Sequence, residues 1–275
     1  MENNNTYSYH YLYVPGNKLE FIDKAIKKEV KNIIIDFEDS IPLSEKDSVR
    51  KNVCSFISSN EISIDIHIRI NSNDEIQKKD IESLLSNNIK NIFVPKLEID
   101  SSIIKDNLGG EFDNVIGIIE TASGLNQIEK ITDKIKLNQT AIGEVDFSAD
   151  LGIEETAESL LFYRSQLVFM SKSLNLKKPI AGVYKHINDL DGLKDFALYI
   201  KSLGFGGMQA IHPIQVEIIE KVFKPTPNEI ADAFKLLKEI EVNNKKGIGV
   251  FVDSSGSIVD AAMVKKAEEI IIQSE

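Results

Sequence analysis

The sequence predicts an α/β protein, a (β/α)8 TIM barrel with a C-terminal helical lid extension. Three observations lead there. Short apolar runs alternate with helical patterns about eight times along the chain. The runs are continuously apolar, as strands are when both faces of a parallel sheet are covered. The chain, at 275 residues, also has the size of one such barrel. A doubly wound open sheet shares the alternation, but it usually has fewer strands, and no glycine-rich dinucleotide fingerprint follows the first run.

The first run, HYLYVPG (His10–Gly16), precedes KLEFIDKAIKKEV, which sets Leu19, Ile22, Ile26 and Val30 on one helical face. NIIIDFE (Asn32–Glu38) leads towards a helix on which Cys54 lies with Val53 and Phe56, as core. DIHIRI (Asp65–Ile70) is followed by DIESLLSNN. NIFVPK (Asn91–Lys96) comes next, then VIGIIE (Val115–Glu120) with LNQIEKITDKI after it. TAIGEVD (Thr140–Asp146) precedes the long helical pattern ESLLFYRSQLVFMSKSLNL. PIAGVY (Pro179–Tyr184) precedes DGLKDFALYIKSLG, which stops on a glycine. GGMQAIH (Gly206–His212) and IQVEIIEKVF complete the last unit. The rest exceeds what a barrel needs: an amphipathic helix NEIADAFKLLKEIEV, two short strands in GIGVFVDSSGSIVD, and a final helix AAMVKKAEEIII. The expected division is a tail over 1–9, a barrel over 10–224, and a lid or oligomerisation segment over 225–275.

Composition narrows the function. The net charge is −11 with a pI near 5.0, and no basic run stands out, so nucleic acid and anionic membrane are poor partners. The start, MENNNTYSYH, lacks the apolar core of a signal peptide, and no apolar run is long enough to span a bilayer. Cys54 is the only cysteine, which leaves no internal disulfide and no thiolate metal site. A soluble cytoplasmic protein is expected.

The stretch IIIDFEDS, Ile33 to Ser40, runs three isoleucines into Asp36, Glu38 and Asp39. One such cluster is a solvated turn. Here the runs end at Asp36 and Glu38, Arg69, Lys96, Glu120, Asp146, Tyr184 and His212. In a barrel these ends converge on one mouth, where the chemistry of the fold sits. Crowded carboxylates need positive charge. Arg69 and Lys96 supply some, and a divalent cation supplies more. An all-oxygen donor set suits Mg²⁺ or Mn²⁺ rather than structural zinc.

Taken together, these motifs resemble the citrate lyase β-subunit-like branch of the HpcH/HpaI aldolase superfamily, over nearly the whole chain. They are YVPG (Tyr13–Gly16), DFEDS with Lys46 and Arg50, RIN (Arg69–Asn71), PK (Pro95–Lys96), IETASGL (Ile119–Leu125), GEVDFSADLG (Gly143–Gly152), FGGMQAIHP (Phe205–Pro213) and GSIVDAAMV (Gly256–Val264). The resemblance implies a barrel enzyme, usually oligomeric (a trimer or a multiple), that makes or breaks carbon–carbon bonds with Mg²⁺. It implies Glu120 and Asp146 as metal ligands and Arg69 on a substrate carbonyl oxygen. Asp36, Glu38 and Asp39 form the surrounding layer, Glu38 and Asp39 holding metal-bound waters. Lys96 meets the substrate, and Asp260 of the lid acts as acid or base. The substrate implied is a 2-oxo acid or a β-hydroxyacyl compound such as a CoA thioester. Three places depart from the family. SYHYLY and NKLEF leave only Lys18 where basic residues help hold CoA phosphates. Ala261 stands where the lid motif commonly has proline, and AGVY where an aspartate often precedes Gly-Val.

Plainer roles stand beside these. Glu120 serves as a charge at a helix start, or Asp150 replaces Asp146 as ligand. Arg69 pairs with Asp36 or Glu38 alone, and Lys96 makes only a barrel ion pair. His212 orients the last loop, Tyr184, Lys185 and His186 stay on the surface, and Asp260 caps the last helix. Rival functions are thioester hydrolysis on the same site and a non-catalytic, metabolite-binding subunit of a larger assembly.

Overall fold

The structure is a computed structural model that describes residues 7–101, 103, 108–244, 250–252 and 258–274. Eight parallel strands close into a barrel in sequence order, the last pairing with the first. The strands are β1 (His10–Pro15), β2 (Asn32–Asp36), β3 (Asp65–Arg69), β4 (Asn91–Val94), β5 (Asn114–Ile119), β6 (Gln139–Ile142), β7 (Ile180–Ala181) and β8 (Gly207–Ala210). The helices around them are α1 (Leu19–Lys27), α2 (Lys46–Ser59), α3 (Asp74–Ser86), α4 (Ala122–Thr132), α5 (Glu144–Leu151), α6 (Ala157–Ser173), α7 (Leu190–Leu203) and α8 (Pro213–Phe223).

Closure explains the apolar runs. All five residues of β2 are buried, one set against the helices and the other inside the barrel. Tyr11, Ile34, Phe93, Ile116, Ile118, Ala141 and Ile180 form the inner cluster, with Tyr13 packed against it. His67 lies in this interior, edge-on to Tyr11 and Phe93. Burial pushes its pKa down to about 3, so it stays neutral. The helices start where short polar side chains cap them: Asn73 for α3, Thr121 for α4, Thr156 for α6 and Asp189 for α7. The expected glycine stop of α7 is Gly204, at φ 104.

The sixth unit departs from expectation. The apolar run TAIGEVD does not continue as strand to Asp146. β6 ends at Ile142, and Glu144 already begins α5, so Asp146 sits in a helical first turn. Lys96, Tyr184 and His212 likewise lie in loops or turns beyond shorter strands than the runs suggested.

The residues fall into two compact units. Ser8–Glu220 is the barrel, and the described residues from Lys221 onward join Tyr7 in the other. The second unit holds α9 (Pro227–Asn244), an antiparallel pair β9 (Phe251–Val252) and β10 (Ile258–Val259), and α10 (Ala261–Ser274), with α9 packed on α10. The Ser-Ser-Gly turn expected between the two strands lies outside the described residues. Among the described residues no helix is long and apolar enough to cross a membrane.

The closing seam has no spare room at Gly207, where a Cβ would stand 2.4 Å from the Tyr9 carbonyl oxygen and 2.8 Å from its carbon. Met208 N donates to the same oxygen at 2.9 Å, so the neighbour is fixed backbone. Gly207→Ala is therefore expected to destabilise by about 1–3 kcal/mol, as overpacking does. Urea unfolding checks this through a lowered midpoint at unchanged slope. An unshifted midpoint would show that the seam yields.

Candidate active site

At the mouth, Asp36 is the last residue of β2 and Arg69 the last of β3, paired in register. Arg69 Nε donates to Asp36 Oδ1 at 2.7 Å. The Glu38 and Ser40 backbone N–H groups donate to the same carboxylate at 2.8 and 2.9 Å. Burial alone would raise Asp36, but Arg69 and these N–H donors outweigh it and hold its pKa below the ordinary carboxylate value. Arg69 Nη1 reaches Glu38 at 3.4 Å and Asp39 at 3.1 Å, and the guanidinium lies 5.0 Å over the Tyr13 ring. Glu38 Oε1 is buried without a hydrogen-bond partner, and burial lifts the pKa of Glu38 against the pull of Arg69.

Glu120 follows β5 and is 5% exposed. Its Oε2 accepts from the Lys96 backbone N–H at 2.8 Å. Lys96 reaches that position by adopting φ 46, which costs a non-glycine residue about 1 kcal/mol. Its side chain stays exposed. Burial is the main force pushing the pKa of Glu120 up to about 7; the Lys96 N–H opposes it, and Glu38 and Asp146 add repulsion. Thr121, not Glu120, caps α4, accepting from Gly124 N at 3.0 Å. The space for Glu120 comes from Gly143, where a Cβ would lie 2.6 Å from Glu120 Oε1.

Asp146 is exposed on α5, with its charge close enough to act on Glu120. Its rival Asp150 is engaged elsewhere, accepting from Ala122 N at 2.8 Å at the start of α4. Sequence reasoning missed Glu144, which opens α5 buried and held by two bonds of 2.9 Å from Arg164 Nε and Nη2 on α6. An acid at the start of a short helix, twenty positions before an arginine within the pattern ESLLFYRSQ, was the available signal.

A second layer fixes the acidic loop. Lys46 Nζ donates to the Phe37 and Glu38 carbonyls at 2.9 and 2.8 Å. Arg50 Nε donates to Asp80, which also accepts from Asn71 N and Nδ2, so the RIN turn is tied to α2 and α3. His212 is exposed and accepts from Ile214 N through Nδ1, which orients the turn into α8. Tyr184 bonds Asp189 and Lys185 pairs with Glu155, all outside the carboxylate cluster. Asp260 lies in the second unit and caps α10, accepting from Ala262 N at 2.9 Å and Met263 N at 3.2 Å. Cys54 is buried beside Ser83.

Fold and site thus define a (β/α)8 barrel whose mouth carries buried carboxylates around one arginine. The chain belongs to the HpcH/HpaI aldolase/citrate lyase family, which it matches over residues 10–213. It is 28% identical to the citrate lyase subunit beta of Leuconostoc mesenteroides subsp. cremoris, over 94% of this chain and 91% of that one. It is 26% identical to the mitochondrial citramalyl-CoA lyase of Rattus norvegicus, over 94% and 84%. Its fold is shared with the protein CitE from Mycobacterium tuberculosis, solved with magnesium, acetoacetate and coenzyme A. The TM-score is 0.80, with 98% of each chain covered at 22% identity.

The depressed pKa of Asp36 makes a signed prediction. Its contribution to stability is full above the unfolded value near 4 and is lost as pH falls through the lower folded value. Asp36→Asn should cost on the order of 3 kcal/mol at pH 7, because it leaves Arg69 buried with half a partner. Urea titrations at pH 7 and near pH 3 should show this gap closing in acid. A gap of equal size at both would deny Asp36 the ionised role.

Proposed function

We propose that the chain is a Mg²⁺-dependent carbon–carbon lyase acting on a 2-oxo acid or a β-hydroxyacyl substrate. The observation that carries this reading is Glu120, buried and raised to about 7, with Glu38 and Asp146 adding to the same negative field. Arg69 is already shared among Asp36, Glu38 and Asp39. The unpartnered Glu38 Oε1 and the all-oxygen donors fit a hard divalent cation. Among the described residues no group of three or more His, Cys, Asp or Glu side chains is placed to hold a metal ion, so the protein would offer at most two such ligands. Mg²⁺ commonly takes one or two carboxylates and fills its remaining positions with water and substrate, and Mn²⁺ satisfies the same donors.

Glu120 and Asp146 would hold the ion, with Glu38 and Asp39 oriented towards the waters around it. When bound, the ion supplies Lewis-acid polarisation of the substrate's oxygens. As the hydroxyl proton leaves, its oxygen becomes a carbonyl, the carbon–carbon bond breaks, and the released electron pair becomes an enolate that then takes up a proton. The Arg69 guanidinium, at the end of β3, donates to the enolate oxygen as its charge grows. Lys96 meets a substrate carboxylate at the rim. Asp260 takes the hydroxyl proton in the cleavage direction. The relatives named as lyases support the reaction class. Lys18 alone among the basic residues flanking the first strand favours a substrate held by its acid groups over one held by CoA phosphates. The exposed Leu161, Phe162 and Phe169 of α6 support assembly of like chains. A lone buried cysteine accords with a cytoplasmic setting.

Metal and arginine separate in one experiment. Glu120→Gln and Asp146→Asn should each abolish calorimetric Mg²⁺ binding. Arg69→Ala should retain Mg²⁺ binding but lose about 10²–10³ in kcat, the usual loss for one oxyanion donor. Undiminished Mg²⁺ binding in both carboxylate variants, or an Arg69 variant changed only in KM, would refute the respective role.

A further inference from the structure

α5 is eight residues long, yet it carries Asp146, and its preceding residue Gly143 makes room for Glu120. Something must fix its rotation. Its N-cap position, Gly143, has no side chain to do so. Its buried residues are Glu144, Phe147 and Ser148. Residues 144 and 146 are two apart, about 200° around a helix, so the face that buries Glu144 turns Asp146 outward.

Of the three, Glu144 is the one whose side chain is hydrogen-bonded among the described residues; Phe147 meets the Tyr163 ring edge-on at 5.2 Å, and Ser148 Oγ has no partner. Arg164 Nε and Nη2 donate to its two oxygens, each at 2.9 Å, and both side chains are at least 95% buried. The guanidinium is held flat by the Phe196 ring at 5.4 Å and the Tyr199 ring at 5.6 Å. On the barrel side, Gly182 of the β7 loop faces the Glu144 carboxyl, where an added Cβ would stand 3.3 Å from Cδ. At the other end, Asp150 ties α5 to the first turn of α4, directly after Glu120. A buried ion pair is a weak way to gain stability, since well-packed apolar residues usually serve as well. Two parallel bonds to a clamped plane supply direction, which apolar packing lacks.

We propose that Glu144 and Arg164 are positioning residues: the pair sets the rotation of α5 and thereby the separation of Asp146 from Glu120. The proposal rests on the metal reading of those two carboxylates. Outer partners that orient metal ligands are typically worth 10–100-fold in metal affinity. A purely structural pair would move stability and leave affinity alone.

The test measures Mg²⁺ affinity by calorimetry and thermal midpoint side by side. Glu144→Leu combined with Arg164→Met removes both charges and keeps the volume, so the fold should persist. The Mg²⁺ Kd should rise at least tenfold with the midpoint little changed. Arg164→Lys, which keeps the charge but not the planar fork, should weaken Mg²⁺ in the same direction, and it decides the matter if the double variant does not fold. Glu120→Gln runs alongside. If it binds Mg²⁺ like the wild type, the metal reading falls and this inference falls with it. If it loses Mg²⁺ while the folded pair variants keep wild-type affinity, positioning alone is overturned.

Discussion

The constraint on which the site depends is unbalanced negative charge held out of water. Asp36, Glu38 and Glu120 are all buried at one end of a barrel lined by isoleucine and aromatic rings. Among the described residues, Arg69 is the one cation paired directly with this cluster, and its shortest contact is to Asp36, which it and two backbone N–H groups keep ionised. That leaves Glu38 with an unmet oxygen and Glu120 with a single backbone donor. Both have raised pKa values because burial penalises their charge. In an isolated fold this is a fault. In a site that receives a hard cation it is the condition for binding.

The surrounding chain is bent to serve that arrangement. Lys96 adopts a left-handed backbone so that its N–H, not its ammonium, meets Glu120. Gly143 gives up a side chain so that Glu120 has a place to lie. Lys46 spends its ammonium on two carbonyls of the acidic loop, and Asp80 links Arg50 to Asn71 behind it. Each element fixes the direction of a carboxylate or of Arg69, and directional control of this kind is what charge stabilisation in a reaction requires.

Much of the architecture was legible in the sequence for a physical reason. A closed parallel sheet buries both faces of its strands, so NIIID and VIGII stand out as unbroken apolar runs. Their polar ends mark the mouth, which made Asp36, Arg69 and Glu120 visible. TAIGEVD misled because a buried strand running straight into a helix gives no break in apolar character; only Gly143 marks the change, and Asp146 belongs to the helix. The Glu144–Arg164 pair was hidden because partners twenty positions apart meet only once α5 and α6 are folded. Lys96 was read for its side chain; the part its backbone N–H plays at Glu120 rests on a φ of 46, which no local pattern announces. The relation of Asp260 to a substrate is not written in local pattern, since a cap and a catalytic acid share one residue type in one position.

The metal role proposed for Glu120 turns on its burial and raised pKa. With its pKa near 7, Glu120 carries a proton at pH 6 and must release it to bind Mg²⁺. Calorimetry of Mg²⁺ binding in two buffers of different ionisation enthalpy measures that proton directly. Release of close to one proton per ion is expected at about pH 6, falling to none by about pH 9, with no such release from Glu120→Gln. Mg²⁺ binding with no proton release at either pH would contradict it.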